Sequence, residues 1–193
     1  MSKKILVYCG SSAGFDSIYE QEVKKLAAAL KKYDATIVFG GGSVGLMGIL
    51  ADEYLRLGGH CIGIFPSFME PWEVVHKGLQ ECIITKTMHE RKQKMAELAD
   101  GVLTLAGGWG SMDELFEILT WKQLDLHQMP VGLLNTNGYY DHLIAQMKHM
   151  IQEGFLKERN LSALHLENDP EAMVDWVMQY EPEKMEKKWI YRG

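Results

Sequence analysis

The sequence predicts a single-domain, doubly wound (Rossmann-like) parallel α/β sheet with helices on both faces. Three features carry that prediction. Short, continuous apolar runs bounded by glycine or proline recur along the chain, as in parallel strands buried on both faces. Segments with apolar residues at helical spacing alternate with them. Two strand-to-helix junctions, residues 40–45 and 107–110, are rich in glycine. A chain of 193 residues with 47% hydrophobic content can bury roughly 70% of its unfolded surface in one core. One domain over residues 1–180 is therefore expected, followed by a charged, extended tail at residues 181–193.

Residues 5–9 form the first predicted strand, halted by Gly10, Ser11 and Ser12. Asp16 caps a helix over residues 17–32, with Val23, Leu26, Ala27 and Leu30 on its apolar stripe. Residues 36–39 are the second strand, followed by the first glycine loop and a helix over residues 46–57 that stops at Gly58 and Gly59. Further strands are expected at residues 62–65, 82–85, 102–105, 130–134 and, shortest, 164–166. Residues 67–80, with Phe68, Met69 and Trp72 around Pro71, read as loop with some helix. Helices are expected over residues 88–99, from the second glycine loop to about 124, over 139–153, and over 170–179. In the helix after the second loop, Met112, Leu115, Phe116 and Leu119 make the buried stripe, and Phe116, Trp121 and the helical methionines are assigned to the core.

The formal net charge of -6 argues against nucleic acid as a partner, because such a surface must be basic enough to displace counterions. Cys9, Cys61 and Cys82 are scattered, odd in number and without CxxC spacing. They read as reduced, buried thiols of a cytoplasmic protein rather than a disulfide or zinc framework. No run reaches membrane-spanning length. No HExxH pair or Cys/His/Asp cluster with ligand spacing is present, so no metal is expected.

In a doubly wound sheet ligands bind at the carboxyl ends of the strands, where both glycine loops fall. Gly107, Gly108 and Gly110 let the backbone approach a ligand closely, and the helix that follows aims its first N–H groups there, an arrangement suited to phosphate. Ser111 and Glu114 also match a capping box, in which each side chain would satisfy the other's backbone N–H. The two readings separate on where Glu114 points. Trp109 either stacks on a base or covers the loop. In the first loop, Gly40, Gly42 and Gly45 satisfy GxGxxG, which raises a dinucleotide-dependent oxidoreductase as an alternative. The acidic residue expected at the end of the next strand is missing, since that strand runs into Phe65, Pro66 and Ser67. A Walker A loop fails because Leu46 and Met47 follow Gly45. That loop either cradles one phosphate or packs strand tightly against helix.

Arg91 lies on the apolar stripe Met88, Arg91, Met95, Leu98 of its helix and in its first turns, where the macrodipole disfavours a cation by roughly 0.3 to 1 kcal/mol. It needs an anion, either an internal carboxylate or a ligand phosphate. Lys92 beside it is expected to point toward solvent. Thr87 and Glu90 form a second candidate capping box.

Met88, His89, Glu90, Arg91 and Lys92, the run from Gly107 to Glu114, and the loop from Gly40 to Gly48 together resemble the LONELY GUY family. Its members are phosphoribohydrolases that activate cytokinins, and relatives often carry a lysine decarboxylase label. No lysine here stands out as a Schiff-base site. The family's loop reads PGGxGTxxE, and this chain has Ala106 for the proline, Ser111 for the threonine and Trp109 where tyrosine is frequent. The resemblance implies hydrolysis of the N-glycosidic bond of a purine riboside 5'-monophosphate, cytokinin-type or AMP, to free base and ribose 5-phosphate, with no cofactor. It carries over Arg91 and Glu114 as catalytic, Gly107, Gly108, Gly110 and Ser111 as phosphate-binding, and Ser11, Gly41, Gly42, Met88, Lys92 and Trp109 as nucleotide-binding. It also implies a homodimer or larger homo-oligomer, with residues 67–80 or the tail completing a neighbour's pocket. A non-catalytic nucleotide-binding sensor or carrier of the same fold is the alternative.

Overall fold

The computed structural model describes residues 2–69 and 74–182. Seven strands, β1 (Lys4–Tyr8), β2 (Thr36–Phe39), β3 (His60–Pro66), β4 (Glu81–Thr85), β5 (Gly101–Thr104), β6 (Val131–Leu134) and β7 (Leu164–Glu167), form one sheet in the order β4-β3-β2-β1-β5-β6-β7. Every pairing is parallel. The central strands are apolar throughout because each buries both faces. In β1, Ile5 and Val7 join the core on one side of the sheet, and Leu6 and Tyr8 join the core on the other.

The helices divide accordingly. Side chains of α1 (Ile18–Lys32), α2 (Gly45–Arg56) and α7 (Pro170–Gln179) pack with Ile5, Val7 and Phe39. Those of α3 (Met88–Leu98), α4 (Trp109–Gln123) and α5 (Asp141–Gln152) pack with Leu6, Tyr8, Val38 and Ile64. The crossovers run outward from β1 through β2 to β4, then return to β5 on its other side. The topological switch point is therefore the cleft between the ends of β1 and β5. The cleft floor is tight: Gly10 N–H donates to Ala106 O at 3.0 Å, and a Cβ on Gly10 would meet Gly107 Cα at 3.3 Å.

Several expectations need correction. Helix α5 begins at Asp141, after a single 3-10 turn at Thr136–Gly138, because Asn137 and Gly138 take left-handed φ values of 53° and 68° that interrupt a continuous helix. A one-turn helix, α6 (Glu158–Leu161), and a 3-10 turn at Ser67–Met69 are additional. Cys82 is exposed, since β4 is an edge strand with a neighbour on one side only. Phe116 is 38% exposed rather than core. Cys9 and Cys61 are buried, and burial pushes the Cys61 thiol up to about 12, so both are inert packing groups. Among the described residues, no helix is long and apolar enough to cross a membrane. Residues 70–73 of the segment 67–80, and the tail from residue 183 onward, lie outside the described residues.

Candidate active site

Arg91, one turn into α3, crosses beneath the end of the sheet. Its Nε donates to Ile64 O at 3.0 Å and its Nη1 donates to Glu114 Oε1, on α4, at 3.1 Å. A Cβ on Gly40 would come within 2.2 Å of Arg91 Nη2, so the glycine at the end of β2 makes room for the guanidinium. The anion required by Arg91 is thus an internal carboxylate. The arginine and glutamate side chains are only 11% and 9% exposed.

Glu114 does not form the capping box. Helix α4 starts at Trp109 with Gly108 as its N-cap, and no side chain caps that end. Ser111 is therefore already the third helical residue, and Glu114 falls in the second turn, facing α3 instead of its own helix start. The Thr87 and Glu90 box is half formed. Thr87 Oγ1 accepts from Glu90 N at 3.1 Å, but the Glu90 carboxylate accepts from Lys86 N.

Burial pushes the Glu114 carboxyl up to about 7, with Arg91 and Lys92 opposing the shift and Asp113 and Glu117 adding to it. Desolvation outweighs the ion pair because one buried guanidinium replaces only part of the lost hydration. Oε2 of Glu114 has no hydrogen-bond partner among the described residues. The site thus offers a mostly buried carboxyl poised near neutrality, with one oxygen oriented by Arg91 and the other available.

Lys92 does not point to solvent. It is buried, with Nζ 3.1 Å from Asp113 Oδ2 and 3.0 Å from Glu117 Oε1, so it ties α3 to α4 on both sides of Glu114. Adjacent helical residues face about 100° apart, and the acidic face of α4 lies across that second direction. Burial lowers the Lys92 pKa, but its hydrogen bonds to Glu117 and Asp113 leave it raised on balance.

The two glycine loops differ in kind. In the first, glycines serve close packing. Gly45 has φ 61° and its Cβ would lie 2.2 Å from the Ser11 carbonyl carbon, while that of Gly48 would lie 2.3 Å from Ser43 O. Gly41 and Gly42 are buried under a strap. Val74 O accepts from Ser43 N, His76 N donates to Gly41 O, and Val75 bridges Gly42. His76 Nδ1 accepts from Gly78 N, which leaves Nε2 carrying the proton toward Asp52 Oδ1 at 3.0 Å. In the second loop, Cβ atoms on Gly108 and Gly110 would meet nothing within 4 Å, so that loop opens onto free space.

Around this opening stand Gly107, Ser111, which is buried, and Trp109, which is 93% exposed and so does not pack over the loop. Ser11 is exposed at the end of β1, and Met88 is half-buried at the first residue of α3. Residues unmarked in the sequence reading also converge. The Tyr139 hydroxyl donates to Gly107 O at 2.7 Å and the Tyr140 hydroxyl to Leu105 O at 2.6 Å. Burial, and then the Glu114 charge, raise the Tyr8 pKa. Thr104, in register with Tyr8, carries a buried hydroxyl with no partner among the described residues. Strand alternation signals Tyr8 and Thr104, since both face the α3 and α4 layer. No local pattern signals Tyr139.

Fold and site together define a doubly wound α/β protein with an oriented glutamate and an open glycine loop at its switch point. A family model described as "Possible lysine decarboxylase" matches residues 47–177. The cytokinin riboside 5'-monophosphate phosphoribohydrolase LOG1 of Arabidopsis thaliana is 36% identical over 191 residues, 97% of this chain and 90% of its own. LOG2 of the same plant, with the same activity in its name, is 41% identical over 154 residues, 80% and 72% of the two chains. The chain belongs to this family, the LONELY GUY family. Among solved structures, the molybdenum cofactor binding protein of Rippkaea orientalis superposes with a TM-score of 0.71 over 92% of this chain and 96% of its own, at 18% identity, which is a likeness of fold. Beside Glu114 the decarboxylase description finds no matching chemistry. A Schiff-base lysine must be neutral to attack, whereas Lys92 is held charged by two carboxylates.

Proposed function

We propose that the protein hydrolyses the N-glycosidic bond of a purine riboside 5'-monophosphate, cytokinin-type or AMP, releasing the base and ribose 5-phosphate. The observation that carries the reading is the Arg91 and Glu114 pair. It presents one carboxylate oxygen, poised near neutral pH, beside the open glycine loop at the N-terminus of α4. The activity in the names of LOG1 and LOG2 supports it.

Breaking the bond sends its electron pair to the base and builds positive charge on the ribose, as in other oxocarbenium-like glycoside cleavages. Ionised Glu114 stabilises that charge and takes a proton from the attacking water, whose hydroxyl ends on C1' while a proton ends on the base. Arg91 holds Oε1, so the carboxylate meets the sugar in one orientation. Gly107, Gly108, Gly110 and Ser111 receive the 5'-phosphate against the helix N-terminus. Ser11, Gly41, Gly42, Met88, Lys92 and Trp109 belong to the walls of the nucleotide site. The packed-in positions of Gly41, Gly42 and Lys92 make their contribution one of shape and electrostatics.

A homodimer or larger homo-oligomer and a cytoplasmic setting belong to the same proposal, and the three unpaired thiols support a reducing compartment. Incubation with AMP and with isopentenyladenosine monophosphate tests the function. Free base is expected from the wild type, and from neither Glu114→Gln nor Arg91→Ala. Tight AMP binding without base release would instead select the sensor or carrier reading.

A further inference from the structure

Three consecutive carbonyls at the end of β5 are each engaged. Leu105 O accepts from the Tyr140 hydroxyl, Ala106 O from the Gly10 amide, and Gly107 O from the Tyr139 hydroxyl. In a trans peptide the C=O and the next residue's N–H point in opposite directions, so holding a carbonyl aims the following amide hydrogen. Tyr139 therefore sets the Gly108 N–H, at the N-cap of a helix that no side chain caps. The Gly107–Gly108 peptide has glycine on both sides, which leaves its plane free to rotate unless something holds it.

The two tyrosines are not equivalent. Tyr140 is 2% exposed and belongs to the core, whereas Tyr139 is 44% exposed. Its ring meets Tyr19 edge-on at 5.8 Å and Tyr140 edge-on at 4.8 Å, and its hydroxyl reaches a carbonyl 32 residues away. The turn that presents both rings is held by Asn135, whose Oδ1 accepts from Tyr140 N and whose Nδ2 donates to Asp141.

We propose that Tyr139 is a positioning residue for the substrate phosphate: its hydroxyl locks the Gly107 carbonyl away from the ligand so that the Gly108 amide is presented to it. This rests on the phosphoribohydrolase reading above. Tyr139→Phe keeps the ring contacts and removes only the hydroxyl. With AMP as substrate, KM is expected to rise about 3- to 10-fold, the effect of one neutral hydrogen bond, with kcat changed by less than about 2-fold. The inhibition constant of ribose 5-phosphate rises by the same factor, and kcat/KM for adenosine, which has no phosphate, stays as in the wild type.

Equal losses with AMP and adenosine would mark a merely structural hydroxyl and overturn the proposal. So would an unchanged KM and inhibition constant in a variant of an AMP-cleaving wild type, with the proposed function left standing. If the wild type binds ribose 5-phosphate without turning AMP over, the same comparison is read in Kd by calorimetry. A wild type that neither cleaves AMP nor binds ribose 5-phosphate removes the phosphate site itself, and the role of Tyr139 with it.

Discussion

Arg91 Nη1 sits 3.1 Å from Glu114 Oε1, yet the Glu114 carboxyl is raised to about 7 rather than lowered. Burial of the carboxylate outweighs the attraction of its partner, so Arg91 acts on Glu114 chiefly through orientation. If ionised Glu114 takes the proton from water, kcat must climb with pH through about 7 and level off above it. A pH profile of kcat with AMP between about pH 5 and 9 is the measurement. A flat profile, or one that falls across this range, would remove Glu114 as the base.

The same group makes stability depend on pH. Between its unfolded value of 4.5 and about 7, the unfolded chain has lost this proton while the folded protein keeps it, so rising pH disfavours folding. At about 1.4 kcal/mol per unit, the wild type should lose roughly 3 kcal/mol relative to Glu114→Gln across that interval, with no further change above it. Denaturant melts of both proteins at several pH values give the difference. A gap independent of pH would show that Glu114 stays ionised in the folded state.

Lys92 tunes this equilibrium. Its charge lies between Asp113 and Glu117 and helps to lower the Glu114 pKa. Lys92→Met removes that cation and leaves two carboxylates uncompensated, so the acid limb of the kcat profile should move to higher pH. Half a unit of movement makes the variant about 3-fold slower than the wild type at pH near 6.5, while the plateau rate changes little. An unshifted limb with a lowered plateau would mean that Lys92 only staples the helices.

The strands were legible in the sequence for a physical reason. A parallel strand covered on both faces needs an unbroken apolar run, and runs such as 36–39 and 131–134 meet glycine or proline near their ends. One-turn elements such as α6 carry no period to read. The catalytic pairing was half legible. A guanidinium on an apolar stripe called for an anion, but nothing local could name Glu114 as that anion, because the contact spans two helices. The capping pattern at Ser111 and Glu114 left two readings open because it fixes a spacing and not a starting point, and α4 begins at Trp109. Phe116 and Cys82 were misplaced for a related reason. Periodicity identifies an apolar side chain, but whether the fold covers it depends on the sheet order and on neighbouring elements.

Gly40 and Gly110 separate packing from ligand space. An added Cβ at Gly40 would stand 2.2 Å from Arg91 Nη2 and 3.0 Å from Met47 Sδ. The guanidinium cannot yield without losing its bond to Ile64 O or to Glu114. Gly40→Ala should therefore cost about 1 to 3 kcal/mol of stability through overpacking. It should lower kcat about 100-fold, because small displacements at a catalytic group are expensive. Gly110 lies in the first turn of α4 with nothing within 4 Å of its Cβ position and without a left-handed φ. Alanine there gains helix propensity, up to about 1 kcal/mol, so Gly110→Ala should melt at or slightly above the wild-type temperature. If the phosphate occupies that space, the same variant raises KM for AMP and weakens ribose 5-phosphate, while kcat at saturation holds. A Gly110→Ala protein with wild-type KM would place the phosphate elsewhere, and a fully active Gly40→Ala would show that Arg91 need not stand where it does for catalysis.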